Sequence, residues 1–222
     1  METQEMRHET VTIETAFQVE RWDAEQVDWT RRKFTRGGGG WPDFEPEARH
    51  FRAFGVRPYS VTREENCNDV VQGGFVSLLF GWSASGTALA AKFSATNGRI
   101  GVGTSTAAIA WNQTFLVGDT GSASTTSYYA LCGAGPTIST AAAPMTMVWS
   151  ATFGTTVANF AWQEFGTDNA AASGVNLNGL AGGFTLVNRG LSNQGTKPNS
   201  QVWTATETMS FGFPTGSGTV GL

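Results

Sequence analysis

Apolar and polar residues alternate through the first segment of the chain. Val11, Ile13, Thr15, Phe17 and Val19 are separated by polar partners, the period-2 signature of a half-buried strand. The run Val27–Thr35 repeats the alternation, and Glu20–Gln26 reads as the turn between them, so the pattern predicts a β-hairpin whose second strand ends in Arg31-Arg32-Lys33-Phe34-Thr35-Arg36. Gly37–Gly40 follows. Four consecutive glycines pack nothing and cost conformational entropy, which marks a joint or a close backbone approach. Trp41-Pro42-Asp43-Phe44-Glu45-Pro46-Glu47, with its two prolines and two aromatics, reads as an extended arm.

A strand is expected at Arg57–Arg63. A short helix near 68–80 is expected next, capped by Asn66 or Asn68, because Val71, Phe75, Leu78 and Leu79 share one helical face; Gly73-Gly74 works against it. Beyond Trp82 come short strands punctuated by Gly, Ser and Thr: Arg99–Val102, Met145–Phe153, Asn159–Phe165, Phe184–Arg189 and Gln201–Phe213. In the third, Phe160, Trp162 and Glu164 fall on one face and Ala161, Gln163 and Phe165 on the other. In the last, Trp203, Ala205, Met209 and Phe211 oppose Val202, Thr204, Thr206 and Thr208. The expected fold is mainly β: a single β-sandwich or barrel-like body with an N-terminal β-hairpin and extended arm and one short helix. The division is residues 1–56 for the charged hairpin and arm, and 57–222 for the Gly/Ser/Thr-rich body.

Charge sharpens that division. Of the 32 charged residues, 24 lie in the first 70 positions, 14 of them acids and 10 bases; the remaining 152 positions hold four acids (Asp119, Glu164, Asp168, Glu207) and four bases (Lys92, Arg99, Arg189, Lys197). Neither part has the basic excess that phosphate neutralisation needs, so no nucleic-acid partner is expected. No apolar run approaches the ~20 residues of a membrane span, and residues 1–20 lack a signal-peptide pattern, so no membrane partner is expected and synthesis in the cytoplasm is. Eight Trp and fifteen Phe suffice for a core.

Candidate chemistry is sparse. Only His8 and His50 occur, neither in a nucleophile context, and Cys67 and Cys132, 65 positions apart, read as two buried free thiols rather than a metal site. Asn112-Gln113-Thr114 fits the glycosylation triplet and is read as a chance match. Glu164 and Asp168 are the only acids close together in the body; a glycosidase pair is the catalytic reading, and a strand end with an Asp/Asn turn is the stronger one. Gly101-Val102-Gly103-Thr104-Ser105-Thr106 lacks the Lys and the following helix of a phosphate loop and reads as a turn. No catalytic residue, cofactor or metal is expected. An exposed-aromatic carbohydrate site would use Trp111, Tyr128 or Tyr129, although core packing is the better reading of each.

Several separated blocks carry a resemblance over residues 97–210. Asn97-Gly98-Arg99-Ile100-Gly101-Val102-Gly103, then Trp149–Gly154 with Ala158-Asn159-Phe160-Ala161-Trp162-Gln163-Glu164-Phe165-Gly166, then Leu186-Val187-Asn188-Arg189 and Gly195-Thr196-Lys197 resemble, in order, a module of tailed-bacteriophage virion proteins. Upstream, Arg21-Trp22-Asp23 and Glu65-Asn66-Cys67-Asn68 are similar to the start of such proteins. Phe165 stands where that module usually has Trp, Ala170–Gly183 is a long insertion, and residues 37–56 have no counterpart. The resemblance implies a non-enzymatic virion structural protein made in the host cytoplasm, most readily a capsid decoration or cement protein. Its implied partners are the major capsid protein or other virion proteins and further copies of itself; no heptad or exposed stripe fixes a symmetry, and trimers and rings both satisfy closure. A tail tube or tail fibre component is the alternative. Aromatic and Arg anchors dominate interface energies, so Trp22, Trp29, Arg31, Arg32, Arg36, Trp41 and Phe44 are the candidate partner-interface residues. Each Trp would gain on the order of 2–3 kcal/mol if buried, whether on a neighbour or folded back on its own body.

Overall fold

The computed structural model describes residues 12–36, 44–75, 97–121, 125–133, 136–139, 144–170, 173–174, 176–179 and 186–212. Its elements in chain order are β1 (Thr12–Trp22), α1 (Ala24–Arg36), α2 (Ala48–Ala53), β2 (Ser60–Glu65), β3 (Asn68–Val70), β4 (Arg99–Gly103), β5 (Ser127–Leu131), β6 (Thr137–Ser139), β7 (Met145–Phe153), β8 (Ala161–Asp168), β9 (Asn188–Thr196) and β10 (Val202–Gly212). The fold is mainly β, in two five-stranded antiparallel sheets. One has the order β2-β1-β10-β7-β6 (sheet A), the other β3-β9-β8-β4-β5 (sheet B).

The expected hairpin does not form. Val27–Thr35 lies within α1, and the neighbours of β1 are β10 and β2. A reciprocal cap decides for the helix: the Gln26 N–H donates to Asp23 Oδ1 (2.9 Å) and the Asp23 N–H to Gln26 Oε1 (3.1 Å). Val27 and Thr30 then fall on one buried helical face. The strand expected at Arg57–Arg63 runs from Ser60 to Glu65. The helix expected near 68–80 is displaced as well. Asn68–Val70 is strand β3, residues 72–75 are helical, and 76–80 lie outside the described residues. Asn66 caps nothing; it turns the chain between sheets at φ 52°, its N–H on the Thr15 carbonyl. β1 pairs with β10 along its whole length, from Thr12↔Gly212 to Trp22↔Val202, so residues 12–22 are part of sheet A rather than of a separate arm.

Side chains of both sheets meet in one apolar cluster. Phe17 of β1 stacks on Phe165 of β8 at 3.6 Å, and Trp162 of β8 meets Phe153 of β7 at 4.7 Å and Trp203 of β10 at 4.8 Å. Trp203, Ala205 and Met209 share the inner face of β10, as the alternation predicts. β8 departs from its predicted faces. Its register with β9 jumps from Trp162↔Gly195 to Glu164↔Leu191, with Gly195 at φ +81°, so Trp162 and Phe165 both point into the core while Glu164 points out of it.

The outer face of sheet B is buried too, and it holds charge. Arg99 and Asp168 pair at 2.9 Å, and Arg189 and Glu164 at 2.7 Å, all four side chains at 0% exposure. The segment after β4 covers the second pair: the Val117 and Gly118 N–H groups donate to Glu164, and Arg189 donates to the carbonyls of Ala107 and Ala108. Tyr129 lies across Gly101, where a Cβ would sit 2.5 Å from its ring, and Arg99 lies over the same ring at 4.6 Å. Gly101 and Gly103, read as a turn, are strand residues that must be glycine because Tyr129 and Glu164 occupy the space above them.

Between the sheets sits Glu207, fully buried on the inner face of β10. Asn68 of β3 and Asn188 of β9 both donate to its Oε1, and Oε2 has no protein partner. Burial raises its pKa from 4.5 to about 8, against a lowering by the two amides. Cys67 and Cys132 are free thiols pushed up to about 11 and about 12, chiefly by burial. In the window from pH 4.5 to about 8 the folded state keeps a proton on Glu207 that the unfolded chain has released, so stability falls as pH rises through it. Glu207→Gln is therefore expected to remove this slope, with the midpoint of urea unfolding rising relative to the parent protein between pH 6 and about 8. An unchanged slope would show that Glu207 is ionised in the native state.

Candidate interaction surface

The connection from β1 to β2 builds a two-helix cap on one end of sheet A. Trp22, the last residue of β1, faces outward from the sheet and stacks on Phe51 of α2 at 4.7 Å; Val27, Ala48 and Val202 close the same small core. A polar latch joins the cap to the loop after β7. Arg31 donates to the Phe44 carbonyl (3.0 Å) and to Glu45 Oε2 (2.8 Å), and Glu45 Oε1 accepts the Thr155 N–H (2.5 Å). A Cβ on Gly154 would lie 2.8 Å from Glu45 Cγ, so glycine permits the approach. Below it, Lys197 donates to the Gly154 carbonyl (2.6 Å) and to Asn159 Oδ1 (2.8 Å), its pKa lowered to about 8 by burial.

The outward side of the cap is a chain of rings. Phe34 of α1 contacts Phe44, His50 and Phe54 at 4.4, 4.9 and 5.2 Å, and Trp29 meets Phe54 edge-on at 6.0 Å. Lys33 lies 5.1 Å from the Trp29 ring centre. Trp29 and Phe54 remain 37% and 40% exposed. His50 accepts the Glu47 N–H through Nδ1 at 2.9 Å, which fixes the start of α2, and burial lowers its pKa. Between α2 and the outer face of sheet A lies a cleft of about 370 Å³, walled by Glu47, Arg49 and Arg52 and floored by Ser150, Thr152 and Thr204.

The predicted interface residues separate into distinct roles. Trp22 is wholly buried in its own chain and offers nothing to a partner, which corrects its assignment. Arg31 and the half-buried Phe44 hold the cap together, whereas Trp29 and Arg32 face solvent. Arg36 is the last residue of α1, and Trp41 lies outside the described residues. Phe54, Lys33 and Arg52 complete the exposed face and escaped the sequence reading. The Asp23-x-x-Gln26 cap was the signal that would have placed α1, and with it Trp29 and Lys33 on a common helical side.

The catalytic alternatives lose their accessible groups. Glu164 and Asp168 are each saturated by an arginine and by backbone N–H donors out of contact with solvent. Of the aromatics considered for carbohydrate, Tyr129 is buried and Tyr128 half-buried; Trp111 is 55% exposed, against Phe75 at 5.8 Å. Among the described residues no group of three or more His, Cys, Asp or Glu is placed to hold a metal, and no helix is long and apolar enough to cross a membrane. Comparisons with protein-family models, with curated proteins and with solved structures find no match.

Anchor and surface ring should differ sharply on truncation. Trp22→Ala is expected to cost about 3–5 kcal/mol in urea unfolding. Glu45→Ala should cost about 1–3 kcal/mol through the unsatisfied Thr155 N–H and freed Arg31, and Trp29→Ala about 0.5 kcal/mol or less. Equal losses at Trp22 and Trp29 would refute the division.

Proposed function

We propose that the chain is a non-enzymatic structural protein of a tailed-phage virion, a capsid decoration protein that meets the shell through its cap and its body, with the two sheets forming a β-sandwich. One observation carries this reading. Every charged side chain described from residue 97 onward, from Arg99 to Glu207, is 3% exposed or less. Among the described residues from 97 onward, the chain therefore exposes no charge and spends its ionic groups on its own interior. Such a surface has little to offer an ionic substrate and suits close packing against protein. The residues behind the resemblance to virion modules (Arg99, Glu164, Asn188, Arg189 and Lys197) are the ones that tie the interior together, which supports reading those blocks as determinants of a shared fold. Virion localisation follows from that reading.

Mixing the purified protein with empty capsid shells and with separated tails, followed by electron-microscopic imaging, tests the proposal. Density at regular positions on shells is the expected result. Density on tails alone would replace decoration with the tail tube or fibre reading, and binding to neither would overturn the virion assignment.

A further inference from the structure

The exposed charges that remain are sorted by sign to opposite ends of sheet A. At the cap end the described surface exposes Arg32, Lys33, Arg49, Arg52 and Arg57 against Glu25, Asp28 and the partly exposed Glu47, with Arg49 bonded to Glu47 and Arg52 to Glu20, so the unneutralised base is centred on Arg32, Lys33 and Arg57. At the other end β1 begins with exposed Glu14, and Glu65 closes β2 beside it, paired across the strands to Ala16. The turn at Asn66 brings exposed Asp69 to the same corner, tied by the Asn66 N–H on the Thr15 carbonyl and Thr15 Oγ1 on the Asn68 carbonyl. Arg63, bonded to Glu65 at 2.6 Å, is the one exposed base described there. Glu14 and Glu20, the latter bound by Arg52 of the cap, are six residues apart along β1, or about 20 Å at a strand's rise.

Each end also exposes apolar side chains among its charges. The basic end shows Trp29 and Phe54; the acidic end shows Ile13, 38% exposed and paired across the strands with half-buried Phe211. Two ends that lean to opposite sign, each with exposed apolar side chains nearby, are complementary to each other and not to themselves. Like charges would face each other in a cap-to-cap contact, which costs energy.

We infer that the aromatic and basic face of the cap docks on the Ile13, Glu14 and Glu65 end of a second copy of this chain. The contact is heterologous, head to tail, so it closes into a ring or extends as a filament rather than stopping at a two-fold dimer. The inference deepens the assembly reading above and rests on it for the expectation that the protein works in multiple copies. Its test uses the purified full chain alone, so failure here leaves the shell-binding experiment standing.

Sedimentation velocity over a concentration series, at ~10 mM and at ~1 M salt where screening shortens from about 30 to about 3 Å, should show self-association that weakens about tenfold or more at high salt. Two charge-reversed proteins isolate the ends: Arg32→Glu with Lys33→Glu at the cap, and Glu14→Lys with Glu65→Lys at the opposite corner. These are surface positions, and circular dichroism checks that both proteins fold. Each alone is expected to stay monomeric, and their equimolar mixture to associate again, because each then carries the end that complements the other. A parent protein that stays monomeric at low salt would overturn the inference. So would association that survives both reversals, loss confined to the cap variant, or a mixture that fails to recover.

Discussion

Burial of ionic side chains on the outer face of sheet B is the constraint around which the rest is arranged. Removing one member of a buried pair costs about 3–5 kcal/mol, because the other is left uncompensated. Arg99, Asp168, Glu164 and Arg189 therefore demand a complete shell of donors and acceptors. The segment after β4 supplies it for Glu164 and Arg189 from backbone groups at Ala107, Ala108, Val117 and Gly118, and the Ala170 N–H donates to Asp168. That demand explains why the strands beneath are rich in glycine: the Tyr129 ring and the Glu164 carboxylate fill the volume that side chains at Gly101 and Gly103 would take. A sheet with an apolar inner face and an ion-paired outer face is thick, covered on both sides, and leaves its charges no role in solvent.

The cap follows a different logic. It is held by one stacked aromatic pair, Trp22 on Phe51, and by a latch in which Glu45 answers both Arg31 and the Thr155 N–H. Its interior is small, so its outer rings stay partly wet, and the long basic side chains of α1 and α2 lie around them. Stability in this region comes from the side facing sheet A, and the side facing away keeps its rings and bases exposed. Among the described residues, exposed bases outnumber exposed acids on the cap, and exposed acids outnumber bases at the far corner of the same sheet.

The strands were legible where alternation was regular. Met145–Phe153 and the inner face of β10 stand as the pattern predicts, because nothing interrupts their pleat. The hairpin failed because Val27–Thr35 satisfies a two-residue period and a helical one together, and the deciding bonds between Asp23 and Gln26 are local and were visible in the spacing. β8 failed for a reason the chain cannot reveal by itself: the faces of Trp162 and Phe165 depend on a register break with β9, some thirty residues away. Glu207 left a trace, an acid interrupting the apolar face Trp203, Ala205, Met209. Its partners Asn68 and Asn188 come from strands that only the completed fold brings together. Trp29 and Arg32, chosen from residue type alone, stand exposed on α1, whereas Trp22, chosen in the same way, is buried; side-chain type does not say what covers it.

The pairing of β1 with β10 also sets the order in which the protein comes into being. Thr12 meets Gly212, so β1 gains that neighbour only after all the residues between them have been synthesised. Loop closure over such a separation is slow, and contacts of this range govern folding rate more than stability. On the ribosome, β1 and β7 flank a gap that only β10 fills. The cap, seated on Trp22 and on Val202 at the start of β10, acquires its floor at the same late moment. The cap is therefore unfinished until β10 has paired, and its exposed rings take their places only then.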